Sequence, residues 1–357
     1  MWLQRINLGS HIQIPQIHFK EHRMLSRILA VTMLLCIGLP NFISAGEEEI
    51  VVYSARNEHL IQPIFEAYTK KTGVKVKYIT GDAGALLERL KAEGANTPAD
   101  MFITVDAGNL WQAAQAGVLQ PVSSEVLEAN VPENLQDPEN MWFGLSVRAR
   151  TIVYNTSSDA AGKITTYEDL ANENWKKRLV LRTSKKVYNQ SLVASLIAEH
   201  GSEKAEKIVA GWVANLAADP FSNDTKALEA VAAGIGDVTV VNTYYFGRLM
   251  KEKPELPLAI FWPNQDTNGV HMNVSGAGIT SHAKHKEAAI KLLEWLSGEE
   301  AQGRFAGLNM EYPVNKTVSL DPVVAEWGTF TGNQMNVAKY GELQGESIML
   351  MDRADYK

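Results

Sequence analysis

Apolar positions fall into short blocks whose spacing switches between strand-like and helix-like. Ile50-Val51-Val52-Tyr53 is an apolar run rich in β-branched residues and predicts a buried strand that ends in polar residues 54–58. Over 59–72, Leu60, Ile61, Ile64, Phe65 and Tyr68 recur at helical spacing, and Gly73 closes that helix. Residues 74–79 alternate as a strand does, 85–93 form an amphipathic helix, 100–105 a third strand and 109–116 a further helix ended by Gly117. Strands and helices alternating with connections of this length predict a parallel α/β sheet. Ligands of such sheets sit beyond the carboxyl ends of the strands, which places residues 53–57 and Asp106 at one mouth.

The second half repeats the theme. Residues 142–154, WFGLSVRARTIVY, read as a long extended segment able to cross between lobes. A strand over 179–181, helices over 191–200, 203–217 and 226–233, and a strand over 238–242 follow. The last of these ends at Thr243-Tyr244-Tyr245. Residues 276–279 look like a return strand, with helices over 285–296 and 299–307.

Ahead of all this, residues 28–43 form an apolar run preceded by Arg23 and Arg27 and followed by Ser44-Ala45. That is the pattern of a secretory signal peptide cleaved after Ala45, with Met24 as an alternative start. A membrane anchor fits less well, because the run is short and broken by Gly38 and Pro40. The single cysteine, Cys36, falls inside the run, which excludes an internal disulfide and a cysteine zinc site.

Composition narrows the function. With 45% hydrophobic and 21% charged residues the chain is globular, and 357 residues suit two lobes. Its formal net charge is −7; residues 1–45 carry four bases and one acid, so the remainder stands at −10. Such a balance gives no pull toward nucleic acid or anionic lipid. No G-x-S-x-G, P-loop or H-E-x-x-H occurs, so an exported hydrolase is the weaker alternative. His282 and His285 read as solvated side chains.

Asn242-Thr243-Tyr244-Tyr245 carries the most information. Adjacent tyrosines at a strand end commonly send one ring to the core and the other to the surface. Their chemical alternative is metal binding: Fe(III) is a hard cation, and a tyrosinate offers anionic oxygen once the metal displaces a proton whose ordinary pKa is about 10.

From about Ile50 onward the chain resembles the periplasmic ferric-iron-binding proteins of ABC iron importers. The resemblance rests on VVYSAR (51–56), TPADMF (97–102), LSVRARTIVYN (145–155), Val187-Tyr188-Asn189-Gln190, the paired tyrosines and Glu311-Tyr312-Pro313-Val314. It implies a two-lobed, type II-like periplasmic-binding fold of α/β class. The N-lobe would hold 46–147 plus about 275–320, and the C-lobe 148–274 plus about 321–357. It implies a monomer that captures Fe(III) in the periplasm for an inner-membrane ABC permease, without catalysis. Tyr244 and Tyr245 match the family's paired iron ligands, and Tyr188 the third tyrosine of its all-tyrosine branch. Asn57 and Val105 stand where another branch has histidine and glutamate. The expected shell is therefore three tyrosinates completed by a small anion such as carbonate, with Arg56 and Arg148 to hold it. Asn57, Asp106 and Asn242 are expected to line the cleft. The alternative within the same fold is a binding protein for another small solute, such as a phosphonate or a polyamine.

Overall fold

The computed structural model describes residues 49–357; the leader expected over 1–45, with Met24 and Cys36, lies outside the described residues. Strand β1 (Glu49–Ser54) leads into helix Glu58–Thr72, which buries Ile61, Ile64, Phe65 and Tyr68. Gly73 ends the helix at φ 79°, a left-handed conformation that glycine adopts without a Cβ clash. Strands β2 (Lys75–Thr80) and β3 (Met101–Val105) flank β1 on either side, both parallel to it, with helix Ala83–Glu93 between them in sequence. Helix Ala107–Gln115 and the short β4 (Leu119–Gln120) follow.

The crossing segment is one continuous strand, β5 (Phe143–Asn155). After it come β6 (Leu179–Val180), β7 (Val238–Asn242), β8 (Leu258–Phe261) and β9 (Met272–Thr280). Residues 143–149 of β5 pair with β9, and residues 150–154 pair with β7. The strand order is β2-β1-β3-β9-β5-β7-β6. The sheet is therefore mixed: β1, β2 and β3 run parallel, as the first half of the sequence predicts, and the return strand β9 runs antiparallel. Only β1–β2, β1–β3 and β6–β7 are parallel, because β9 returns against both β3 and β5. Its glycines allow that close return: a Cβ on Gly276 would lie 2.5 Å from the Phe143 carbonyl oxygen, and one on Gly278 2.5 Å from that of Met141.

Period-two alternation along β7 sends Val240 into a core with Leu196 and Trp212, and Val241 into another with Leu228 and Val231. The first sheet has its own core, including Ile50, Phe102, Leu110 and Leu292. The molecule is thus a two-lobed α/β fold whose sheets share β5. The short helix Ala338–Glu342 packs on both Ala107–Gln115 and Val187–His200.

Two helices depart from expectation at positions that matter. Val187–His200 begins four residues before the expected 191 and draws Tyr188 into its first turn. Helix Thr243–Glu252 starts directly after β7, so the paired tyrosines lie in a first helical turn and not on a strand.

Candidate metal centre

Side chains on a strand alternate between faces, which would part Tyr244 from Tyr245. In a first helical turn they stand side by side, with ring centroids 4.6 Å apart. Tyr188 arrives from the first turn of Val187–His200, and its hydroxyl hydrogen-bonds with that of Tyr244. Two helix N-termini thus bring three phenols together. Such ends favour negative charge by about 0.3–1 kcal/mol each.

A chain of hydrogen bonds fixes Tyr244. Arg150 Nη1 donates to Asn242 Oδ1 at 3.0 Å, which turns Asn242 Nδ2 to donate to the Tyr244 hydroxyl at 3.0 Å. Arg150 is itself held by Asn189 Oδ1 at 2.6 Å and Asp224 at 3.2 Å. Tyr245 is half-buried and hydrogen-bonds Arg182, while Arg182 and Arg248 lie over the Tyr188 and Tyr244 rings at 5.2 and 5.0 Å.

Burial, followed by the proximity of Tyr245, pushes the Tyr188 phenol up to about 12, although Arg148 pulls the other way. Burial also pushes Tyr244 well above the ordinary value, followed by repulsion from Tyr188 and Tyr245. The Tyr188 and Tyr244 phenols therefore stay protonated near neutral pH unless a strongly charged cation replaces the protons.

These rings line a cleft of about 600 Å³ together with Arg56, Arg148 and Glu311. That is the size of a small-molecule site and larger than one ion needs. Asn57, which is exposed, and Val105 also lie on its wall. Asp106 and Asn242, expected as lining residues, stand behind the wall instead. Asp106 is fully buried at φ 79° and caps helix Ala107–Gln115. Its carboxylate accepts from Gly108 N, from Ser191 Oγ at 2.6 Å and from Asn273 Nδ2 at 2.9 Å, tying β3 to a helix of the other lobe. Asn242 is taken up by Arg150 and Tyr244.

The two arginines differ. Arg56 donates from Nη2 to Glu311 Oε2 at 2.7 Å and from Nη1 to Ser146 Oγ at 3.2 Å, leaving Nε without a protein partner. Arg148, 1% exposed, gives Nη2 to Ser275 Oγ, while its buried Nε and Nη1 have no protein partner. Lys185, Lys186, Arg182 and Arg248 are further cations on the wall. Arg182 was not among the residues singled out from sequence, and Glu311 entered only as part of the family-matching segment 311–314, with no site role. Arg182 follows β6 closely, so the strand-end rule could have found it. Glu311 had no local signal, since its partner lies 255 residues away.

Another cluster able to hold a metal, Glu168, Glu199 and His200, is closed by its own hydrogen bonds: His200 Nε2 meets Glu168 at 2.6 Å, and Asn264 and Asn333 donate to the carboxylates.

Residues 96–331 match the family model described as bacterial extracellular solute-binding protein. Iron uptake protein A1 of Synechocystis is 43% identical over 317 residues, covering 87% of this chain and 88% of that protein. A Trichodesmium structure in complex with iron and citrate ligands superposes with a TM-score of 0.84 at 47% identity, covering 87% of this chain and 100% of that one. The ferric binding protein from Campylobacter jejuni superposes with a TM-score of 0.81 at 36% identity, covering 86% and 100%.

Proposed function

The chain belongs to the bacterial extracellular solute-binding protein family, and on that premise we propose that it captures Fe(III) in the periplasm and delivers it to an inner-membrane ABC permease. The observation that carries this reading is the convergence of Tyr188, Tyr244 and Tyr245 from two helix N-termini in the cleft that Arg148 also lines. Three tyrosinates balance the charge of a ferric ion. They leave two or three coordination positions, which a small oxyanion such as carbonate fills. We assign that anion to Arg148, whose Nε and Nη1 have no protein partner, because Arg56 is already engaged by Glu311. The lobes we assign are 46–147 with about 275–320 and 148–274 with about 321–357, and the signal peptide is cleaved on export.

Charge separates this reading from its alternatives. Arg148, Lys185, Lys186 and Arg248 form no ion pair among the described residues, so the wall repels a polyamine. An anionic solute such as a phosphonate suits the same cations but gives the clustered phenols no role. Titrating Fe(III) into the purified protein with bicarbonate present is expected to produce a visible tyrosinate-to-iron absorption band at one equivalent. A protein that stays colourless while binding a phosphonate would overturn the assignment.

A further inference from the structure

The segment Glu311-Tyr312-Pro313-Val314 carries no iron ligand in the reading above, yet it is held firmly. Tyr312 exchanges both backbone hydrogen bonds with Val147 of β5, each at 2.8 Å. That fixes Glu311 on the cleft wall at 3% exposure, next to the strand that carries Arg148. Its carboxylate takes Arg56 Nη2 at 2.7 Å, a charge-assisted contact between two almost fully buried side chains. Burial works against the Glu311 charge, but Arg56 and then Arg148 outweigh it and hold the carboxyl below the usual range. Three buried N–H groups of the two arginines, Nε of Arg56 and Nε and Nη1 of Arg148, have no protein partner. The Arg56 guanidinium is therefore directly paired with an internal carboxylate, whereas Arg148 feels Glu311 and Asp106 without a direct ion pair among the described residues.

Resting on the iron-binding reading, we propose that Glu311 is a built-in anion that occupies Arg56 and confines the exogenous anion to Arg148, restricting the cleft to a small oxyanion. A buried ion pair that loses one member leaves an uncompensated charge, which recruits whatever counter-ion fits. Without the Glu311 carboxylate, Arg56 and Arg148 become a two-cation site within one cleft of about 600 Å³, suited to a polycarboxylate that spans both. Glu311 acts through Arg56, so it is a specificity-determining residue and not a metal ligand.

Bicarbonate and citrate are titrated by calorimetry into iron-free wild type, Glu311→Gln and the double variant Arg56→Gln/Glu311→Gln, with iron retention read in the same series. The expected result is citrate binding at least tenfold tighter in Glu311→Gln, bicarbonate changed less than threefold, and a return to wild-type preference in the double variant. A Glu311→Gln protein with a lower melting temperature but an unchanged citrate-to-bicarbonate preference makes the pair merely structural and overturns the proposal. Should Glu311→Gln fail to fold, Arg56→Gln decides: it releases Glu311 to compete for Arg148, and bicarbonate binding is expected to weaken tenfold or more. Unchanged bicarbonate binding there overturns the proposal equally. Loss of iron binding in wild type itself would sink the iron reading, whereas unchanged preference with iron retained sinks only the role of Glu311.

Discussion

At the scale of single residues the site is a problem of protons and oxygens. Replacing Tyr244 or Tyr245 by Phe keeps the ring and removes the ligating atom, so iron retention is expected to fall at least tenfold, equivalent to about 1.4 kcal/mol. The two differ in stability. Tyr244→Phe strands the Asn242 Nδ2 donor and the Tyr188 hydroxyl and should cost about 1–3 kcal/mol in urea unfolding, more than Tyr245→Phe. Acid should release iron, because each phenolate competes with a proton: the visible band is expected to bleach before the fold is lost. A band that persists to global unfolding would remove the phenolates from the shell. In the iron-free protein the sign at high pH is also set. Tyr188 titrates near 12 when folded and near 10 when unfolded, so the unfolded chain sheds its proton first and stability falls as pH rises across that window. Tyr188→Phe should flatten that loss in melts taken between about pH 10 and 12.

At the scale of elements, clean periodicity was legible and contact across the chain was not. The β-branched run at 50–53 and the apolar stripe of Glu58–Thr72 stand where their patterns put them. Helix Thr243–Glu252 was missed because Tyr-Tyr-Phe continues a strand-like run and nothing local marks the change. With that helix unread, the stacking of Arg248 on Tyr244, one turn apart, was unreadable too. The pairing of Arg56 with Glu311 depends on β5 bringing distant segments together, which no window of sequence contains. The resemblance named the three tyrosines, while the geometry that sets them side by side came from two helix starts. Tight element contacts give their own prediction. A Cβ on Gly341 would lie 2.3 Å from Trp111 Cβ, so Gly341→Ala should lift Ala338–Glu342 from its seat at a cost of about 1–3 kcal/mol in thermal or chemical melts.

At the scale of the whole molecule, a ligand drives closure only through contacts it makes better in the closed form. On the first lobe's side of the cleft wall, Asn57 and Val105 are not strong iron ligands, the Asp82 carboxylate caps helix Ala83–Glu93, and that of Glu311 is paired with Arg56. Iron alone should therefore compact the molecule little in small-angle scattering, and a large compaction without added anion would contradict this. Lobe motion also meets β5, which passes from one sheet to the other between residues 149 and 150 with no intervening loop. Melting the first sheet strips β5 of β9, and melting the second strips it of β7 and β8, so either loss also loosens β9, which lies between β3 and β5. The two lobes are thus one cooperative unit: separate cores would suggest two calorimetric transitions, but the shared strand calls for a single one, with calorimetric and van't Hoff enthalpies in agreement.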